Sequence, residues 1–453
     1  MTPAPSTWPL APAYTGDELA DLSALEQARL IRNGELSSRE LTAHYLSRIE
    51  DYDPALGAFM EVYADRALAD ADAADKARRR GELPGPFGGV PTAVKDHHLI
   101  RFTRSRLGSR AFDWFFSPVD DEIVKRLRRA GFVLLGKTTM SELGLLPVVE
   151  PPDGDPTRNP WDRDRTAGGS SGGAGAAIAA GLIPLSLGSD GAGSVRIPAA
   201  LNGLVGLKPT RGLVGDGSSD RLDPFGLTCI GPMARSVDDA AALLDVLANA
   251  GDSYQERARQ EVRQLRIGVI TEAPFGPLDP TIRDLIEATA ARLEDAGHHI
   301  ELRSPPQGTL DEFTPLYQKF IARIPVIRST RLEDVTRWFR DQGKQVSSDE
   351  AWQIFRRFEA TGNDAMAGLD VLITPTVGVP TPQVHQHSHL PPAEYFRAAA
   401  GLGKFTALAN ITGQPGLSVP IGLADGLPVG AQLLGRRGDD ALLLRLARAL
   451  EVR

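Results

Sequence analysis

Glycine is crowded into one stretch of this 453-residue chain, and the crowding limits what the chain can build. Fourteen of the 46 glycines fall between Gly168 and Gly217, a window of 50 residues. Glycine loses more backbone freedom on folding than any other residue, so such density argues for tight turns and close backbone approach rather than long regular elements. Two runs set serines among the glycines: Gly168-Gly169-Ser170-Ser171-Gly172-Gly173 and Asp190-Gly191-Ala192-Gly193-Ser194. Turns joining short strands would account for a single glycine pair. Two Gly/Ser clusters also fit a second use. Backbone N–H groups packed beside a hydroxyl are the parts that acyl transfer needs, a nucleophile and donors for a developing oxyanion.

Around this window the hydrophobic period changes repeatedly. Leu22–Arg32 and Ser38–Tyr52 carry apolar residues three and four apart, with Ser37 or Ser38 ahead of Glu40 as an N-cap and Gly34 as a stop. Ala64–Arg80 predicts a third helix, broken by the glycines and prolines of 81–89. Short apolar runs predict strands at Gly89–Val94, Phe132–Leu135, Ile183–Leu187 and Val205–Leu207, alternating with helices at Asp121–Ala130 and Asp238–Ala248. That alternation predicts an α/β fold. Residues 255–400 are the least patterned. They hold a strand at Arg266–Ile270, a helix from Pro280 to Gly297 closed by His298 and His299, and aromatic-bearing helices with Phe313, Tyr317, Phe320, Trp338, Phe339, Trp352 and Phe355. Regularity returns in strands at Val371–Ile373, Leu417–Ile421 and Val429–Leu434 and a final helix from Asp439 to about Glu451. No repeat or low-complexity linker divides the chain. A single domain over 1–453 is expected, with residues 1–20 as an N-terminal arm.

Composition narrows the function classes. The 50 Lys and Arg stand against 58 Asp and Glu, a net charge of −8, and the isoelectric point is about 5.6. A nucleic-acid partner is not expected, since its footprint is a basic excess or patch. One cysteine, Cys229, excludes an intramolecular disulfide and a Cys-rich zinc site. Residues 1–13 lack a basic n-region and an apolar h-region, and the longest weakly polar run, Ala174–Gly188, has 15 residues. A membrane span needs about 18. The expectation is a soluble, cytoplasmic protein without membrane contact.

A serine nucleophile needs a base. None of the eight histidines has a supporting context. His385-x-His387-x-His389 could offer three metal ligands on one face of a strand, but Pro380, Pro382, Pro391 and Pro392 around it favour a solvated loop. Lysine is the alternative. Lys95 ends the apolar run Gly89–Val94 and precedes Asp96. A lysine at the end of a buried strand must be paired or lose its charge through desolvation. A surface Lys95–Asp96 pair is the other reading of the same residues.

Lys95 within GVPTAVKD, the run GGSSGGAGAA, and DGAGSVRIPAALNGLVGLKPT together closely resemble the amidase signature family. Asn159-Pro160-Trp161, GKTTMSEL at 136–143, GPMARSVDDAA at 231–241, DVLITPT at 370–376 and NITGQPGLSVPIG at 410–422 extend the resemblance to about residues 20–450. The resemblance implies a large twisted mixed β-sheet covered by helices on both faces, with 255–400 as the variable region that forms the substrate pocket. It implies a Ser–Ser–Lys triad whose middle serine follows a cis peptide and whose nucleophile lies 24 residues further on. By that match Ser194 is the nucleophile, Ser170 the middle serine and Lys95 the base, with Ser171 a local helper. The N–H groups of Gly191, Ala192, Gly193 and Ser194 would form the oxyanion hole. Ala192 stands where the family usually has glycine, and a required positive φ there would be strained by the methyl group. Thr139 and His97 also depart from the family's common residues and are expected to line or support the pocket. Arg196 is expected to pair with Asp190 rather than to act in catalysis. Phe225 and Cys229 are pocket candidates, although a lone thiol is as readily a small buried hydrophobe.

The same triad serves stand-alone amidohydrolases and the glutamine-hydrolysing A subunit of tRNA-dependent amidotransferases. Residues 222–230 lack the Gln-containing approach usual in such subunits, and Phe225 and Cys229 make that segment apolar. A binding protein on a decayed scaffold is the non-enzymatic reading, against which all three triad positions are intact. The expectation is hydrolysis of a neutral, largely apolar amide, including anilides and aryl carbamates (urethanes), by a monomer or homodimer without a metal or organic cofactor.

Overall fold

The computed structural model describes residues 8–152, 154–215, 223–248 and 253–451. Its longer strands form two sheets. The smaller holds β1 (Phe59–Val62), β2 (Pro91–Lys95) and β3 (Val133–Thr138) in the order β1-β3-β2, with β2 parallel and β1 antiparallel to β3. The larger holds β4 (Leu185–Asp190), β5 (Val205–Lys208), β6 (Cys229–Ala234), β7 (Arg266–Val269), β8 (His299–Leu302), β9 (Val371–Pro375), β10 (Gly416–Ala424) and β11 (Leu427–Gly435). Their order is β8-β7-β9-β11-β10-β5-β6-β4. β7 pairs parallel with β8 and β9 while the other described pairs are antiparallel, so this sheet is mixed. Every residue of β2, β3, β9 and β11 is buried, which is why these strands read as continuous apolar runs instead of alternating ones.

Helices cover both faces of the large sheet. Side chains alternate along a strand, so Gly430 and Gly435 of β11 face opposite ways. A Cβ at Gly430 would lie 2.8 Å from Ala200, in the helix Arg196–Asn202, and one at Gly435 would lie 3.3 Å from Leu443, in the helix Asp440–Glu451. The α/β expectation holds, and most predicted elements lie within a few residues of their observed bounds. The helix Ser38–Leu56 carries the full Ser37–Glu40 capping box, and Asp121 caps Glu122–Arg129 at Val124 N (2.8 Å).

Two differences have clear causes. β1, β6 and β8 are four to six residues long and are interrupted by a glycine and proline (β6) or by a glutamate (Glu61 in β1, Glu301 in β8), so no continuous apolar run announces them. The helix from Pro280 ends at Asp295, two residues short of the expectation, and His298 and His299 do not close it. His299 opens β8, while His298 is buried with Nδ1 accepting from Leu265 N (3.2 Å), and burial pulls its ring below the ordinary histidine range.

The weakly patterned region folds into Leu310–Ala322, Asp334–Gln345, Ser348–Ala365 and Pro392–Ala400. In the first of these, Phe313, Leu316, Tyr317, Phe320 and Ile321 form one buried stripe at helical spacing. With Phe339, Phe355 and Phe396 they build an apolar cluster separate from the main core. Among the described residues no helix is long and apolar enough to cross a membrane.

Candidate active site

Three chain segments converge at one end of the junction between the sheets. Lys95 is the last residue of β2 and Asp190 the last of β4. Thr92 Oγ1 donates to Leu185 O (2.9 Å) and Ser186 Oγ to Ala93 O (2.7 Å), which sets the two strand ends side by side. After Asp190 the chain turns through Gly191 to Ser194 into the helix Arg196–Asn202. The third segment is the Gly168–Ser171 turn, whose Gly169–Ser170 peptide is cis and which leads into the helix Gly172–Ala179. Here the glycine is sterically required, since a Cβ at Gly169 would stand 2.7 Å from Val148 N.

Lys95 is fully buried and touches neither Asp96 nor any other described carboxylate. Asp96 instead faces the buried Lys137 (3.7 Å) and accepts from Arg106 N and Gly108 N, both at 3.1 Å. The surface-pair reading of Lys95 is thereby excluded. Its Nζ is held by three hydroxyls: Ser170 Oγ (2.7 Å), Ser171 Oγ (2.8 Å) and Ser189 Oγ (2.9 Å). Burial penalises the ammonium, and the nearby Asp190 only partly offsets that penalty, so Lys95 is lowered to about 7. A lysine poised there is neutral often enough to accept a proton.

Ser194 Oγ makes no hydrogen bond to a described residue, although its carbonyl accepts from Ser171 N (3.3 Å) and ties the two serine turns together. Asp190 organises the turn around it. Its carboxylate meets Arg196 through Nε (2.9 Å) and Nη2 (2.8 Å), both side chains fully buried. Burial opposes ionisation of Asp190, but Arg196 prevails and holds it far below the usual carboxylate range. Arg196 reaches on to Thr406 O, Gln432 and Asn410, which makes it the structural hub that the resemblance implied.

The same carboxylate takes one donor out of the expected oxyanion hole. Gly193 N is bonded to Asp190 Oδ1 at 2.7 Å, whereas Gly191 N, Ala192 N and Ser194 N have no described acceptor. Three N–H groups therefore remain available. The concern over Ala192 also resolves, because its φ is not positive. Glycine is required one residue later. Gly193 has φ 126°, and a Cβ there would fall 2.2 Å from Thr406 Oγ1.

Ser194 opens into a cleft of about 1150 Å³, counting the part open to solvent. Leu145, Pro147, Ala192 and Ile197 line its floor with the serine, and Phe313, Tyr317, Phe358, Phe396 and Phe405 its walls. Among the described residues that line it there is no carboxylate and a single cation, Lys404.

A sequence profile described as Amidase matches residues 40–444. The chain belongs to the amidase signature family. It is 33% identical to the 6-aminohexanoate-cyclic-dimer hydrolase of Paenarthrobacter ureafaciens, over 94% of each chain. It is also 33% identical to the A subunit of glutamyl-tRNA(Gln) amidotransferase from a Synechococcus species, covering 95% of this chain and 96% of the other. Among solved structures it is similar to a bacterial aryl acylamidase of the amidase signature enzymes (TM-score 0.87, 26% identity, 99% of this chain and 96% of that one). It is an amide-hydrolysing enzyme.

Within this amidase three expected pocket residues lie outside the cleft. Thr139 spends its hydroxyl on Gly57 O (3.0 Å) and Thr157 Oγ1 (2.7 Å), joining the end of β3 to a helix end. Phe225 packs into the aromatic cluster, 4.8 Å from Trp352 and 5.8 Å from Phe355 between ring centres. Cys229 sits opposite Asp190 in β6, its Sγ 3.7 Å from Lys208 Nζ, and burial pushes its thiol up. It is the small buried hydrophobe of the two readings. His97 has no place in the cleft lining either; its ring lies 4.0 Å from that of His98. Three site features escaped the sequence reading: Ser189 as the third hydroxyl on Lys95, Phe358 and Phe396 in the cleft wall, and Thr406 behind the turn. His385 lies in a loop whose backbone N donates to Glu150 (3.0 Å), and among the described residues no three His, Cys, Asp or Glu side chains gather to hold a metal ion.

Proposed function

We propose that this amidase hydrolyses amides with a largely apolar body, anilides and aryl carbamates included, through an acyl-enzyme on Ser194. Neutral Lys95 accepts the Ser170 proton while Ser170 takes the proton of Ser194, whose oxygen attacks the carbonyl carbon. The carbonyl oxygen becomes an oxyanion held by the free N–H groups at Gly191, Ala192 and Ser194. The relay then returns a proton to the leaving amine, the C–N bond breaks, and water repeats the sequence to release the acid. In the resting site Ser194 Oγ is not bonded to Ser170, so that contact must close when the acyl group binds, as catalytic hydrogen bonds commonly do. A carbamate carbonyl passes through the same oxyanion, and the hole does not inspect the neighbouring oxygen.

The cleft lining carries the substrate reading. Free glutamine brings an α-ammonium as well as a carboxylate, and burying that ammonium without a counter-charge is strongly unfavourable. No described lining residue supplies a carboxylate for it. The aryl acylamidase and cyclic-dimer hydrolase similarities support an amide body without that charge; the amidotransferase chain is as similar in sequence, and the cleft lining is what favours the first reading. Apolar walls discriminate by only about 1–3 kcal/mol per methylene, so breadth is expected over a single substrate. The test is kcat/KM for a 4-nitroanilide and an aryl carbamate against glutamine and acetamide. The two apolar substrates should lead. Glutamine ahead by tenfold or more would replace this reading with that of an amidotransferase component.

A further inference from the structure

Lys404 is the one charged side chain among the described residues lining the Ser194 cleft. Its Nζ donates to Pro277 O (2.9 Å) and lies 5.8 Å from the centre of the Phe275 ring, and no described carboxylate comes within 4.0 Å. An ammonium has three donors, and the protein uses one. Burial pulls Lys404 below the ordinary lysine range, and no acidic neighbour counters it. Its remaining two donors are open to solvent or to a ligand in the cleft.

Its backbone is tied to the turn that carries the nucleophile. Thr406 Oγ1 donates to Ala192 O (2.6 Å), and a Cβ at Gly403 would stand 3.4 Å from that same carbonyl oxygen. The segment bearing Lys404 is therefore stitched to the turn that carries Ser194. With the backbone tied in this way, the length of the lysine side chain bounds how far its ammonium stands from the nucleophile.

We propose that Lys404 is a specificity-determining anion anchor, which makes the cleft select amides whose apolar body ends in a carboxylate. This rests on the amidohydrolase reading above and refines its substrate: the body is apolar, and the far end is anionic, not neutral. The carboxylate completes the donors of Lys404 with charge-assisted hydrogen bonds in a partly dry site, whereas a neutral isostere leaves the cation uncompensated. The anion can belong to the acyl part, as in a dicarboxylic acid monoanilide, or to the amine part, as in an amide of an aminobenzoate.

Two matched pairs test this and separate the sources. On the acyl side, glutaric acid mono-4-nitroanilide is compared with its methyl ester. On the amine side, the pentanoyl amide of 5-amino-2-nitrobenzoate is compared with pentanoyl 4-nitroanilide. In one pair the wild-type enzyme should prefer the carboxylate by tenfold or more in kcat/KM, with KM carrying the difference. Lys404→Met should bring that ratio close to one, and Lys404→Arg should keep most of it. A wild-type ratio near or below one in both pairs, or a preference that survives in Lys404→Met, overturns the proposal. Calorimetric binding of the same compounds to Ser194→Ala, with and without Lys404→Met, gives a readout independent of turnover. Charge-selective binding without hydrolysis by the wild type would sink the amidohydrolase reading alone. Hydrolysis with no charge preference would sink the anchor alone.

Discussion

A lysine lowered to about 7 is half neutral at that pH, and this single value connects burial to the base role proposed for Lys95. The three hydroxyls on Nζ match the three donors of the ammonium, so both protonation states are accommodated. Only the neutral one can accept a proton. Activity is therefore lost as pH falls below about 7 and gained as it rises through it, and log kcat/KM should climb with unit slope before levelling. Arginine in this place would hold its charge at any working pH. Lys95→Arg and Lys95→Ala should both lose at least the ~10²–10⁴ that general base catalysis supplies. In the proposed relay Ser170 and Lys95 share one proton path, so the double Ala variant should be little worse than the poorer single variant. Losses that multiply would show two separate roles. Unchanged circular dichroism in each variant separates chemistry from unfolding.

At the scale of the element, the turn from Asp190 to Ser194 works because each of its residues has a different constraint. Gly193 must be glycine, for its φ and for Thr406. Ala192 need not be. Gly193→Ala should therefore cost about 1–3 kcal/mol of stability through overpacking and remove most activity, while Ala192→Gly should change kcat/KM only a few-fold. Thermal unfolding and a nitroanilide assay check both; the reverse order would mean that the turn is held by other contacts. That Lys95, Ser170 and the Ser194 turn come together was legible in the sequence because spacing and local motif carry them. Which glycine is indispensable was not, since the demand on Gly193 comes from a residue more than 200 positions away. Ser189 was hidden for a related reason. A serine in a buried strand carries no mark of what its hydroxyl meets, and Lys95 lies on a strand of the other sheet. The pocket aromatics were half legible: helical spacing predicted a buried stripe, but Phe320 faces the aromatic cluster while Phe313 and Tyr317 also face the cleft.

Across the whole molecule, the α/β alternation was readable wherever strands are buried on both faces and unreadable where they are four residues long and broken by a glutamate, as in β1 (Glu61) and β8 (Glu301). The N-terminal arm was expected only as an appendage, yet its described part is packed structure. Leu10, Ala11 and Tyr14 are buried, Trp8 N donates to Arg235 O (2.9 Å), and Ala11 N donates to Ala179 O (2.9 Å) at the end of the helix that follows Ser170 and Ser171. Arg48 fastens the same corner, donating to Gly181 O (2.8 Å), Ala180 O (2.9 Å) and Asp17 Oδ2 (2.8 Å). Deleting residues 1–15 strips three large buried side chains, Trp8, Leu10 and Tyr14, each worth roughly 1.5–3 kcal/mol. The unfolding midpoint in urea should fall accordingly. The serines lie at the opposite end of that helix and the described part of the arm lines no part of the cleft, so the fraction that stays folded should keep kcat within about twofold when assayed cold. A stable truncation would show that the arm merely rests on the core. A folded but inactive one would show that the helix transmits its anchoring to Ser170, and that the arm belongs to the catalytic framework.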